Sequence, residues 1–443
     1  MKKWLLKLQM LTVFLVIQYA AFGQEISPYL IGQNYWLEDG DEGRVGHLHK
    51  LWDKVEASGV KTVRIGGNGY QNNFPIRPRL NNMIDSIKGT GAEPVLQVPS
   101  TFTDLQAKEV VEYYTQGNSR DVKFWSIGNE PLLHDRHTIE EVHEFVVRIA
   151  RAMKSVSPDI KIFIFDEASL REEAYDAFVG GNLDITGLKE NGAWLIDGIN
   201  FHNYPNGGQE FGREEVIFYG PDKILRQVTH LDELLDKANA KHDRTGEGAL
   251  LWGLTEFNVS YVNPNREISG YGNPSFLGGQ FMAEIFGFGM KYEAFMMNPW
   301  CISETDVIRT DFGYIGMPVE FYPRSTYYHM QLLSDYMKKE FIESGSNQEY
   351  VKTIATQDAS GLTILVMNQH DSEDYSMEIS SVENDSEGML NIKLTSAIDI
   401  NYSDTIVNQS SLILTFDKEG VMTKKVVYSL EHNLRHLPPE VMN

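Results

Sequence analysis

Two glutamates close apolar runs far apart in the chain. Glu130 follows Phe124-Trp125-Ser126-Ile127-Gly128-Asn129 and is cut off by Pro131, and Glu256 follows Leu251-Trp252-Gly253-Leu254-Thr255. A carboxyl at the rim of an apolar strand end has its ionised form disfavoured by desolvation, which is what a general acid requires. A nucleophilic partner needs donors that keep it ionised, and Arg64 in Val63-Arg64-Ile65 is the best candidate to supply them. Taken singly, each glutamate could as well be a solvated or salt-bridged rim residue. Taken as a pair across a cleft, they suit glycosidic cleavage, in which one protonates the leaving oxygen and the other attacks the anomeric carbon. A separation of about 5–5.5 Å would then give a covalent intermediate and net retention.

The elements that must hold such a pair show as an alternation. From residue 29 to about 303, short apolar, β-branched or aromatic runs alternate with longer amphipathic segments. Eight runs are found, at 29–36, 60–67, 93–99, 122–131, 161–167, 196–205, 249–258 and 292–300. Helix candidates lie between them at 47–58, 104–115, 138–155, 222–242 and 276–290. In the first, Leu48, Leu51, Trp52 and Val55 fall at helical spacing ahead of Gly59, a C-terminal stop. The expected fold is α/β, a (β/α)₈ barrel. The absence of G-x-G-x-x-G after the first run weighs against an open doubly wound sheet. In a barrel the strand C-terminal ends converge on one face, so Glu130 on strand four would face Glu256 on strand seven.

Beyond a helix-like segment at 324–339, short alternating runs separated by Asp, Ser, Asn and Gly clusters read as a β-sandwich. The expected organisation is a signal peptide over 1–23, a catalytic barrel over 24–340 and an accessory β-sandwich over 341–443. The leader has Met1-Lys2-Lys3, an apolar middle, and small residues at Ala20, Ala21 and Gly23, so a secreted or periplasmic protein is expected. No second apolar run approaches spanning length, and no membrane insertion is expected. The formal net charge is −23, before loss of the three leader lysines, which argues against nucleic acid or an anionic membrane as a general partner. Cys301 is the single cysteine, so no intrachain disulfide can form. The oligomeric state stays open.

With these residues in place, the chain resembles the clan A retaining β-glycoside hydrolases. Trp125-Ser126-Ile127-Gly128-Asn129-Glu130-Pro131 resembles their Asn-Glu-Pro motif at the end of strand four, and Thr255-Glu256-Phe257 their strand-seven nucleophile segment. The resemblance spans roughly 26–340. It implies that Glu130 is the acid/base, that Asn129 binds the sugar 2-hydroxyl beside the cleaved bond, and that Glu256 is the nucleophile with Arg64 near it. It further implies that His202 and Tyr204 form the strand-six His-x-Tyr pair, the tyrosine touching the nucleophile, and that Trp300 is the sugar platform. Asn298 on the same strand is placed with the substrate-binding residues. Val63-Arg64-Ile65-Gly66-Gly67-Asn68 and Phe201-His202-Asn203-Tyr204 look most like the heparanase and β-glucuronidase group, and the β-xylosidase and iduronidase group and the bacterial β-agarase and porphyranase enzymes share many of these features. The leader resembles those of bacterial polysaccharide degraders, which points to plant or algal glycans.

The substrate implied is a β-linked poly- or oligosaccharide, with no metal and no organic cofactor. A non-catalytic glycan-binding protein on a hydrolase scaffold, or a transglycosylase using the same residues, are the alternatives, and endo or exo action is open. Asp166 and Glu167 form a second carboxylate pair, expected to bind substrate or anchor a loop. Glu38 and Asp39 read as a solvated acidic loop, and Trp36, Tyr70, Tyr261 and Tyr271 as core aromatics. His134, His137 and His143 read as surface histidines without a ligand pattern, and Arg213 and Arg266 as loop arginines that could meet an acidic sugar.

Overall fold

The computed structural model describes residues 23–36, 47–116, 120–262, 267–304, 311–316, 321–381 and 389–442. The expected leader up to residue 22, and Glu38, Asp39 and Arg266, lie outside the described residues. Each of the eight apolar runs contains a strand: β1 (Gly32–Tyr35), β2 (Thr62–Ile65), β3 (Glu93–Val98), β4 (Phe124–Ile127), β5 (Lys161–Glu167), β6 (Gly198–Asn203), β7 (Leu251–Phe257) and β8 (Met296–Met297). They pair in parallel in sequence order. A parallel bridge from Ile31 to Met297 joins the last strand to the first, with Met297 N–H donating to Leu30 O at 2.8 Å. The chain folds as a (β/α)₈ barrel followed by β-sheets, because right-handed β-α-β crossovers leave each apolar strand covered by a helix.

Around the barrel run α1 (Trp52–Ala57), α2 (Arg77–Gly89), α3 (Asp104–Thr115), α4 (Ile139–Val156), α5 (Glu172–Phe178), α6 (Gly220–Lys241), α7 (Phe276–Lys291) and α8 (Ser325–Tyr336). Thr103 and Thr138 open α3 and α4 with capping boxes closed by Gln106 and Glu141. The segment 77–89, whose Pro75 and Pro78 obscure its helical pattern, forms α2 with proline in the first turn, where the missing N–H costs nothing. The helix expected at 47–58 is broken into a 3₁₀ turn at Leu48–Lys50 and α1.

The chain divides into two compact units, Ser27–Ser334, and Asp335–Asn443 together with the segment ending at Ile26. Gln24 and Glu25 pair antiparallel with Phe341 and Glu340, so the strand Gln24–Glu25 belongs with the second unit rather than with the barrel. That unit holds a seven-stranded sheet, centred on Val351–Asp358, Gly361–Asn368, Ser410–Asp417 and Met422–Ser429, and a four-stranded one. Leu362, Ile364 and Val366 of one sheet and Met377, Ile379 and Ile392 of the other share one apolar core, as period-two patterning requires.

Candidate active site

Two irregular strands shape the C-terminal mouth of the barrel. The pairing of β5 with β6 shifts register between Ile164 and Glu167, and that of β6 with β7 between Leu254 and Glu256. Such bulges re-aim side chains next to active sites. Phe165 and Asp166 take φ of 85° and 37°, and Glu130 beyond β4 takes 45°. Left-handed backbone at non-glycine residues costs about 1–3 kcal/mol each and persists only where the surroundings over-determine it. Here the two distortions are tied, since Glu130 N–H donates to Asp166 O at 2.8 Å.

Arg64 is wholly buried on β2 and commits its guanidinium to five partners. Nε donates to Asp166 Oδ2 (3.2 Å), Nη1 to Asn34 Oδ1 (3.1 Å) and Glu256 Oε1 (2.8 Å), and Nη2 to Gln97 Oε1 (3.2 Å) and Asn129 Oδ1 (2.7 Å). Asp166 also accepts from Asn200 Nδ2 at 2.9 Å and Thr255 Oγ1 at 2.6 Å. Burial would raise its pKa, but the Arg64 charge and these donors outweigh it and hold the carboxyl below its ordinary value. Asp166 is therefore the counter-ion that fixes Arg64, not a loop anchor. Its neighbour Glu167 does anchor a loop, accepting from the N–H groups of Leu132 (2.7 Å) and Ala168 (3.0 Å).

Glu130, His202 and Glu256 present ligand atoms that all lie within 4.8 Å of one another. His202 Nδ1 sits 3.3 Å from Glu130 Oε1 and 3.7 Å from Glu256 Oε2, Asn68 Nδ2 donates to Glu130 Oε2 at 2.9 Å, and Tyr204 O–H donates to Glu256 Oε2 at 3.0 Å. Burial pushes the Glu130 carboxyl up, but the His202 hydrogen bond and charge, with Asn68 and Arg64, outweigh it and leave it below its ordinary value. At Glu256, burial and Glu130 repulsion outweigh His202 and Arg64 and leave the carboxyl raised. This reverses the expected resting balance, in which Glu130 would hold the proton. His202 lies between the two: burial would lower its pKa, but Glu256 and Glu130 outweigh burial and raise it above its ordinary value. The three groups share protons as one unit.

A cavity of about 440 Å³ lies over this triad, lined by Glu130, Leu133, His134, Ala168, Tyr204, Glu256, Tyr261, Trp300 and Phe312. Trp300 packs against Trp36, with ring centroids 5.5 Å apart, and also against Cys301 and Phe312. Asn129 Nδ2 is buried without a partner while its Oδ1 is pinned by Arg64, so one amide donor is left oriented and unused. Asn298 donates from its amide nitrogen to Gln33 O (3.2 Å) and Thr62 Oγ1 (3.1 Å) inside the barrel. Of the expected aromatics, Tyr261 lines the cavity and Tyr70 is core. His134 is exposed at the cavity wall, whereas His143 stacks on Phe178.

Asn34, Gln97 and Asn200, which complete the network, carry no sequence signal, since each is one polar residue inside a strand run. Asn68 was legible only as a polar residue after the second strand. Among the described residues, the group with the donors for a metal ion is the same Glu130, His202 and Glu256. The Arg64 charge 2.8 Å from one donor opposes a cation there.

The fold so defined, a (β/α)₈ barrel with a β-domain after it, is one found in solved glycoside hydrolases. The alpha-L-arabinofuranosidase from Thermotoga maritima shares it with a TM-score of 0.66 and 14% identity over 90% of this chain and 98% of that one. A family 51 alpha-L-arabinofuranosidase from Bifidobacterium longum gives 0.63 and 12% over 89% and 97%, and a family 44 endoglucanase from Clostridium thermocellum 0.59 and 17% over 89% and 97%. At these identities the likeness is one of fold. The finer resemblance to the heparanase and β-glucuronidase or β-agarase and porphyranase groups finds no support among them. No family model matches the sequence, and no curated protein matches it.

Proposed function

We propose that this protein is a retaining glycoside hydrolase that cleaves a β-linked poly- or oligosaccharide of plant or algal origin, with Glu256 as nucleophile and Glu130 as acid/base. The observation that carries the reading is the closeness of the two carboxyls, whose oxygens lie within 4.8 Å at the cavity floor. Retaining enzymes hold the pair about 5–5.5 Å apart, whereas inverting ones need about 6.5–9.5 Å to seat a water. In the first step Glu130, which exchanges its proton with His202 across the 3.3 Å contact, delivers that proton to the departing oxygen. Glu256, gripped by Arg64 and Tyr204, attacks the anomeric carbon as that bond breaks. Water, deprotonated by Glu130, then releases the sugar. Burial and the two carboxylates push the Tyr204 hydroxyl well above its ordinary pKa, so it stays a donor throughout. Asn129 Nδ2 supports the reading as a free donor for the sugar 2-hydroxyl. The neighbours' names fit glycan cleavage, since they include arabinofuranosidases, an endoglucanase and a xyloglucanase. The protein is exported after removal of residues 1–23, a step that N-terminal sequencing checks.

The test is reducing-sugar release on a panel of plant and algal glycans, beside Glu256→Gln and Glu130→Gln. Glu130→Gln is expected to lose about 10²–10⁴-fold in kcat, and Glu256→Gln at least as much, with circular dichroism unchanged. NMR of the first-formed product anomer should show retention. A Glu256→Gln protein with near-normal turnover would overturn the assignment, and binding without product release would favour a binding protein.

A further inference from the structure

Beside the catalytic cavity, on the same face of the barrel, lies a second cavity of about 570 Å³ formed by the segment after β6 and the start of α6. Its lining includes Asn206, Phe211, Tyr219, Arg226 and Tyr261, and Tyr261 also lines the catalytic cavity. The two cavities therefore share one aromatic wall. That ring is held in place: a Cβ at Gly208 would stand 2.8–3.0 Å from its hydroxyl and ring carbons, so backbone lies directly against it. Tyr261 N–H and Ser260 O–H both reach Gly207 O, at 3.3 and 2.5 Å. On its other side Tyr261 meets Tyr204 edge-on, with centroids 6.5 Å apart, and Tyr204 holds Glu256. A line of side chains thus runs from the nucleophile to the second cavity.

The chemistry of that cavity fits a sugar. Tyr261 is 55% and Tyr219 61% exposed, the latter at the end of a π-helical turn, Glu215–Tyr219, a distortion frequent at functional sites. Exposed tyrosines offer broad apolar faces with a polar tip. Asn206 Nδ2 is buried without a partner. The charged lining is balanced, with Lys223 and Arg226 against Glu210 and Glu215. Lys223 is bonded to Pro205 O (2.9 Å), and Glu215 to Gly212 N–H (2.9 Å). Nothing in that balance selects a carboxylate or a sulfate.

We propose that this cavity is a distal glycan subsite, in which an uncharged sugar unit beyond those next to the cleaved bond stacks on Tyr219 and Tyr261 and is hydrogen-bonded by Asn206 and Arg226. The inference rests on the glycoside hydrolase reading and adds to it a preference for longer, neutral chains. The experiment measures kcat/KM of the full-length mature protein on cello- and xylo-oligosaccharides of two to six units and on polygalacturonate, and the affinity of Glu256→Gln for the same probes by calorimetry. On one of the neutral series, kcat/KM is expected to rise about tenfold once the chain is long enough to pass Tyr261, about 1.4 kcal/mol of added binding. Tyr219→Ala and Arg226→Ala should each flatten that rise through KM, with kcat held. A rise that survives both variants, a flat profile in the wild type, absence of binding by every neutral probe, or preference for polygalacturonate would overturn the subsite. Turnover of the shortest probe that is lost in Glu256→Gln shows the hydrolase reading intact in any of those cases.

Discussion

Where the proton rests in the Glu130, His202 and Glu256 group decides the pH range in which the site can work. Double displacement needs Glu256 ionised and one proton available to Glu130. Glu256 is raised above its ordinary 4.5 by burial and by Glu130, so the acid limb of kcat/KM should lie above that value. His202 is raised above its ordinary 6.5 by the two carboxyls against the cost of burial, so the basic limb, where the proton is lost, should lie above 6.5. In His202→Gln the proton must sit on a carboxyl instead. The basic limb should then move to lower pH, which a kcat/KM profile measures; an unmoved limb would show that the proton is not held on His202. Asn68 and Arg136 form a further chain behind the acid, since Arg136 Nη1 donates to Asn68 Oδ1 (2.9 Å) while Asn68 Nδ2 faces Glu130.

The turn that leaves β2 brings backbone against the site. Gly67 has φ of 97°, and a Cβ there would stand 2.8 Å from the Trp300 ring and 3.8 Å from Glu256 Oε1. Its N–H donates to Gln97 Oε1 at 2.6 Å, the same oxygen that accepts from Arg64. Gly67→Ala therefore meets both a strained backbone and an immovable ring. It is expected to cost about 1–3 kcal/mol of stability by urea unfolding and to displace Trp300, lowering kcat/KM. Normal stability with normal activity would mean that the ring and the turn are free to part. The bulges in β5 and β7 act at the same scale, because each breaks the period-two alternation at the point where a carboxylate must turn inward.

At the scale of the whole molecule, the only cysteine sits inside the barrel unit. Cys301 is 1% exposed, and burial pushes its thiol well above its ordinary pKa. Thermal stability should therefore be the same with and without reductant, and a thiol reagent should label Cys301 only as fast as the barrel opens. Labelling faster than unfolding would reveal a local opening beside Trp300. This single unit is also what joins the catalytic groups. Apolar runs at regular intervals sufficed to read eight strands, since burial on both faces leaves a mark in composition. Glu130, Glu256, Arg64, His202, Tyr204 and Asn129 were legible because a polar residue at the end of such a run has a reason to be there. Asn34, Gln97, Asn200 and the counter-ion role of Asp166 were not, because which way a mid-strand side chain points depends on strand register and bulges. Those are fixed only when the barrel closes. The sequence by itself determined the order of strands and helices and the chemical types at the mouth. The tertiary structure alone decided that His202 lies between two carboxyls and has its pKa raised by them, since charges shift one another only across distances that folding sets.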